Sequence, residues 1–184
     1  MLAALFMVTG ICVLLFLGRE KARIIGQTIT ELDIQPLLNV DQPLTQDDMK
    51  GKIAVIHFWG FWSVPCVNEY PDFVAVYRKY KDDGDVIFVS IACSEKREPK
   101  NDSLLFYTKQ VLSKMDALEL PVYHDPAEYS RTQISQLLTV GGFSYPTTLV
   151  VDGLGQVVDV WRSGVSQAAL EKAIEKAKKA TGRS

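Results

Sequence analysis

The chain has 184 residues, 47% hydrophobic and 23% charged, which is the length of one domain with a sizeable core. Its net charge of −2 argues against a nucleic-acid surface, which needs a basic stripe. Three cysteines are too few for a disulfide scaffold. Cys12 lies in the apolar N-terminus, so Cys66 and Cys93 are left as the one pair that could bridge inside the domain.

Residues 1–18 carry no charged side chain and fit an uncleaved membrane anchor at the short end of the spanning range. The alternative is a signal-peptide core, but no Lys or Arg precedes the run and no small-x-small cleavage site follows it. Arg19, Lys21 and Arg23 come next, and the positive-inside rule would put that side in the cytoplasm. Residues 19–26 read as a linker and 27–181 as the folded domain. Up to Lys52 the chain is turn-prone, with Pro36 and Pro43, and predicts a short hairpin or edge strand.

Ile53 to Trp59 is an almost unbroken apolar run, as expected of a strand buried on both faces. Pro65 suits a first helical turn with Ser63 or Val64 as cap, and Val67, Tyr70, Val74 and Tyr77 continue the helical spacing toward Lys81. Val86 to Cys93 is a second buried strand, so the unit is βαβ with a right-handed crossover. Helices are expected over 101–118, 128–138 and 167–179, and a short strand over 122–124. His124 reads as a loop residue. Strands at 147–151 and 156–161 flank a hairpin turn at Asp152-Gly153-Leu154-Gly155. No metal-ligand spacing is present, and no motif calls for a cofactor.

The segment Phe58-Trp59-Gly60-Phe61-Trp62-Ser63-Val64-Pro65-Cys66, continued by Glu69 and Pro71, resembles the active-site motif of thioredoxin-fold proteins of the TlpA and ResA type, F-W-A-x-W-C-x-P-C followed by x-x-E-x-P. Val86 to Ile91 matches the next strand, and Tyr145 to Gly153 resembles the family's P-T-T-x-x-x-D-x-G segment. The resemblance spans roughly residues 27–180 and extends to the related AhpC/TSA redoxins. It implies an α/β thioredoxin-like fold, a central mixed sheet flanked by helices behind an N-terminal membrane helix. It also implies thiol–disulfide exchange with protein thiols, protein disulfides or a thiol reductant. The domain would then lie on the extracytoplasmic, periplasmic side, opposite to the placement the basic residues favour.

Ser63 departs from the pattern. It stands where the family has its exposed attacking cysteine, so no dithiol cycle within the motif is possible. Cys66 is the remaining motif thiol. A helix N-terminus would lower its pKa and burial would raise it. His57 occupies the place of a buried acid found before F-W in many thioredoxins. It is either a proton relay to Cys66 or a structural core histidine. Ser63 and Cys66 also satisfy the S-x-x-C part of the peroxiredoxin motif, which wants an arginine near the thiol; Arg131 and Arg162 are the candidates.

Cys93 reads as a resolving thiol or as an inert core residue. The resemblance implies that Pro146 is cis and that its loop, with Tyr145, Trp62 and Pro65, binds an extended partner chain. Glu69 is equally a helix-face acid near the thiol or a solvated surface charge. The readings in play are a thiol oxidoreductase of altered mechanism, a binding module without catalysis, and a thiol peroxidase.

Overall fold

The computed structural model describes residues 23–29, 32–95, 101–138 and 143–182. The anchor expected over 1–18 lies outside them, and among the described residues no helix is long and apolar enough to cross a membrane. Ile24 is wholly buried, so packing begins within the stretch read as a linker.

Six strands form one mixed sheet in the order β1-β4-β3-β2-β5-β6. They are β1 (Gln35–Leu38), β2 (Ile53–Trp59), β3 (Val86–Ala92), β4 (Val122–His124), β5 (Thr147–Val151) and β6 (Val157–Trp161). The helices are α1 (Gln46–Met49), α2 (Val64–Tyr80), α3 (Asn101–Lys114), α4 (Tyr129–Leu137) and α5 (Gln167–Ala180). β2 runs parallel to β3 and antiparallel to β5, which makes it central. All seven of its residues are buried, as its almost unbroken apolar run requires.

Alternation along β2 sorts its side chains into two cores. Ile53, Val55 and Trp59 join Tyr70 and Phe73 of α2 and Ile174 of α5. Ala54, Ile56 and Phe58 meet Ile134 of α4 and Ile24 and Ile34 of the N-terminal segment. Helices therefore cover both faces of the sheet in a mixed thioredoxin-like arrangement, and the turn between β2 and α2 lies at the sheet's edge beside the end of β3.

Two expectations need correction. His124 is not a loop residue: it ends β4 and is buried, because that short strand is zipped to β3 on one side and β1 on the other. The helix read over 101–118 stops at Lys114, and Asp116 follows with a positive φ of 52°.

Candidate active site

Everything at the site hangs on the four-residue path from Trp59 to Trp62. Trp59 is locked in the core, its indole N–H donating to Ser90 Oγ at 3.0 Å, and the Tyr70 hydroxyl meets the same oxygen at 2.9 Å. Gly60 follows, and a side chain there would collide with the Trp62 indole, since an added Cβ would lie 2.7 Å from it. The missing Cβ lets Trp62 fold back and donate from Nε1 to the Cys93 carbonyl at 3.2 Å. The Cys93 amide in turn donates to the Trp59 carbonyl at 2.7 Å. The end of β3 is thus tied to the motif turn at two points.

Ser63 occupies the N-cap of α2, with Pro65 in the first turn, but its side chain makes no capping bond. Its hydroxyl instead faces the Cys66 sulfur, which the Gly60 backbone also meets. Cys66 is 0% exposed. Burial pushes its thiol up, the Ser63 and Gly60 contacts pull it down, and the charge of Glu69 pushes it up further. Desolvation therefore outweighs the favourable helix terminus.

Glu69 is no solvated surface charge. It is buried, Thr148 Oγ1 donates to its Oε1 at 3.4 Å, and its Oε2 has no hydrogen-bond partner among the described residues. Burial raises its pKa to about 7, against the opposing pull of the Val165 amide and the Thr148 hydroxyl. The same Thr148 Oγ1 lies 2.9 Å from His57 Nδ1. The β2–β5 register explains the meeting, because His57 and Thr148 are paired across the two strands. His57 stacks on Phe73 with 4.5 Å between ring centres, its Nε2 has no hydrogen-bond partner among the described residues, and burial lowers its pKa to about 3. Its nearest polar link thus runs through Thr148 to Glu69. Thr148 lies within the P-T-T segment, where nothing in the sequence signals this role.

Cys93 is buried in the opposite core and unbridged, as is Cys66. Its Sγ meets the Tyr145 hydroxyl and lies within the field of Arg131, yet burial pushes its pKa up to about 12. Arg131 therefore attends Cys93, and among the described residues the groups that act on Cys66 include no arginine. Its guanidinium donates from Nε to Asp125 Oδ2 at 3.1 Å, from Nη2 to the Asp125 carbonyl at 3.0 Å and from Nη1 to the Tyr145 hydroxyl at 2.7 Å.

Tyr145 precedes Pro146 through a cis peptide bond, and its ring packs edge-on against Trp62 at 5.2 Å. These two rings, with Arg131, Glu128 and Phe143, border an open cleft of about 430 Å³. Pro65 is exposed in the first turn of α2, and Val64 beside it is 68% exposed. A smaller hollow of about 310 Å³ lies near Ala54 and Gly153, remote from both thiols. No group of three or more His, Cys, Asp or Glu side chains fit to hold a metal occurs among the described residues.

Comparison with known proteins agrees with this fold. The sequence profile of the AhpC/TSA family matches residues 25–160. The thioredoxin-like protein YneN of Bacillus subtilis is 26% identical over 150 residues, covering 82% of this chain and 78% of that protein. The thiol-disulfide oxidoreductase ResA of Geobacillus kaustophilus is 25% identical, with coverage of 89% and 83%. A thioredoxin-family thiol:disulfide interchange protein from Chlorobium tepidum shares the fold, with a TM-score of 0.61, 23% identity and coverage of 80% of this chain and 98% of that one.

Proposed function

Because the chain belongs to the AhpC/TSA family and is a thioredoxin-like protein of the TlpA/ResA type, we propose that it exchanges disulfides through one motif thiol, Cys66. The observation that carries this reading is the arrangement at the turn. The Ser63 hydroxyl has left its capping role to face the Cys66 sulfur, and a buried carboxyl that titrates near neutrality lies close by. Glu69 takes the thiol proton, and Ser63 and Gly60 hold the resulting thiolate. The sulfur attacks a partner disulfide, one partner sulfur leaves as a thiolate, and a mixed disulfide remains on Cys66. A second thiol, from Cys93 or from an external reductant, then attacks Cys66 and releases the partner as a thiol. Trp62, Tyr145, Pro146 and Pro65 form the surface that receives the partner chain. His57 supports Glu69 through Thr148 and does not act on the sulfur itself. Residues 1–18 anchor the domain at a membrane, on its extracytoplasmic side.

The binding-module reading has one observation in its favour, the complete burial of Cys66. Reduction of insulin by dithiothreitol separates the two. Acceleration that disappears in Cys66→Ala supports the exchange reading, whereas equal rates for parent and Cys66→Ala would reduce the domain to a binding module. The peroxidase reading is weaker, because Arg131 is engaged with Asp125 and Tyr145 beside the other thiol. Rapid oxidation of Cys66 by micromolar-range hydrogen peroxide would restore it.

A further inference from the structure

Cys93 is surrounded in a way that an inert core cysteine does not require. A buried arginine is fixed behind it by three contacts to Asp125, two from the guanidinium and one from the Arg131 backbone amide at 3.0 Å. The guanidinium edge left over donates to the Tyr145 hydroxyl, and that hydroxyl meets the Cys93 sulfur. Asp125, Arg131, Tyr145 and Cys93 thus form a line of polar groups that runs from the end of β4 to the end of β3. At its far end, the Cys93 backbone is bonded to Trp59 and Trp62 of the same turn whose Gly60 meets Cys66. The two thiols therefore flank a single short turn, one in each core, and the charge of one acts on the other.

We propose that Arg131 and Tyr145 are positioning residues that prepare Cys93 to resolve the mixed disulfide on Cys66. The inference rests on the exchange reading of Cys66. In the resolving step the Cys93 thiolate attacks the Cys66 sulfur, a Cys66–Cys93 bond forms, and the bond to the partner sulfur breaks. The electron pair leaves with that sulfur, which takes up the proton that Cys93 released. The partner is reduced, and the two cysteines are oxidised by two electrons in all. Tyr145 donates its proton toward the Cys93 thiolate while accepting from Arg131, so the arginine's charge is delivered through the phenol. A charge-assisted hydrogen bond of this kind shifts a thiol equilibrium by roughly tenfold or more.

The test uses the full chain with Cys12→Ser and the aromatic disulfide 5,5′-dithiobis(2-nitrobenzoate), whose thiolate is released visibly at each step. The parent should release one equivalent as Cys66 is captured and a second as Cys93 displaces the adduct. Cys93→Ala should stop after the first. Arg131→Met should slow the second release about tenfold or more, and Arg131→Lys should recover most of the rate. Tyr145→Phe, which keeps the Arg131–Asp125 pair and so keeps the fold, should slow the second release as well. A second release unchanged in Arg131→Met and Tyr145→Phe, or a parent that stops after one equivalent, would overturn the inference while leaving the exchange reading of Cys66 intact. Failure of the first release would overturn the exchange reading and this resolving role with it.

Discussion

Two buried ionisable groups, His57 and Glu69, share one threonine and pull stability in opposite directions with pH. The folded-state pKa of His57, about 3, lies below its ordinary 6.5. The unfolded chain therefore binds more protons between those values, and stability falls as pH drops from 6.5 toward 3. The folded-state pKa of Glu69, about 7, lies above its ordinary 4.5. Here the folded chain binds more protons, so stability falls as pH rises from 4.5 to 7. Between 4.5 and 6.5 the two slopes oppose each other. Denaturant titrations should show the parent losing on the order of 3 kcal/mol relative to Glu69→Gln between pH 4 and pH 8. Relative to His57→Gln it should lose stability below pH 6.5. Parallel pH profiles for parent and variants would refute the burial of these charges. Glu69→Gln also removes the charge that raises Cys66, so the alkylation midpoint of that thiol should fall. The burial of Glu69 was not legible in the sequence, since a helix-face acid is ordinarily solvated. It follows from the close approach of β5 and the 164–165 segment to α2.

Helix α2 carries its thiol on an uncapped start, and α5 offers an internal control. Ser166 accepts from the Ala169 amide at 3.4 Å, whereas Ser63 makes no such bond. Ser166→Ala should cost about 1 kcal/mol in thermal or urea unfolding and leave Cys66 alkylation unmoved. Ser63→Ala should cost less than about 0.5 kcal/mol yet raise the pH at which Cys66 reacts. The reverse pattern would mean that Ser63 is a cap and nothing more. Both helices were legible from apolar spacing, and β2 and β3 from their almost unbroken hydrophobic runs. What the Ser63 hydroxyl does was not, because a cap and a thiol partner need the same residue at the same place. The short elements were least legible. All four residues of β1 are half-buried, and β4 has three residues, so β1 owes its existence to pairing with β4, and β4 to pairing with β1 and β3.

At the scale of the whole molecule, the sheet separates two cores and places one thiol in each, with the motif turn at their shared edge. The Arg131–Asp125 pair joins α4 to the end of β4 on the Cys93 side, and Asp125 also receives the Ser130 amide at 3.4 Å. Asp125→Ala leaves a buried guanidinium without its counter-charge, which should cost about 3–5 kcal/mol in urea unfolding. A loss under about 1 kcal/mol would mark the pair as solvent-screened, as surface ion pairs are. The sequence marked Arg131 as a partner for a thiol, but only the fold shows that the thiol is Cys93. The three motif segments made the thioredoxin-like architecture readable, whereas the reactivity of Cys66 depends on burial that no motif encodes. The most direct measurement is the intact mass of the native protein after exposure to a disulfide-bonded peptide at neutral pH. One peptide should attach at Cys66, transiently in the parent and lastingly in Cys93→Ala, with none there in Cys66→Ala. A native protein that takes up no peptide at Cys66, but does so once unfolded in urea, would show this thiol to be an inert part of the core.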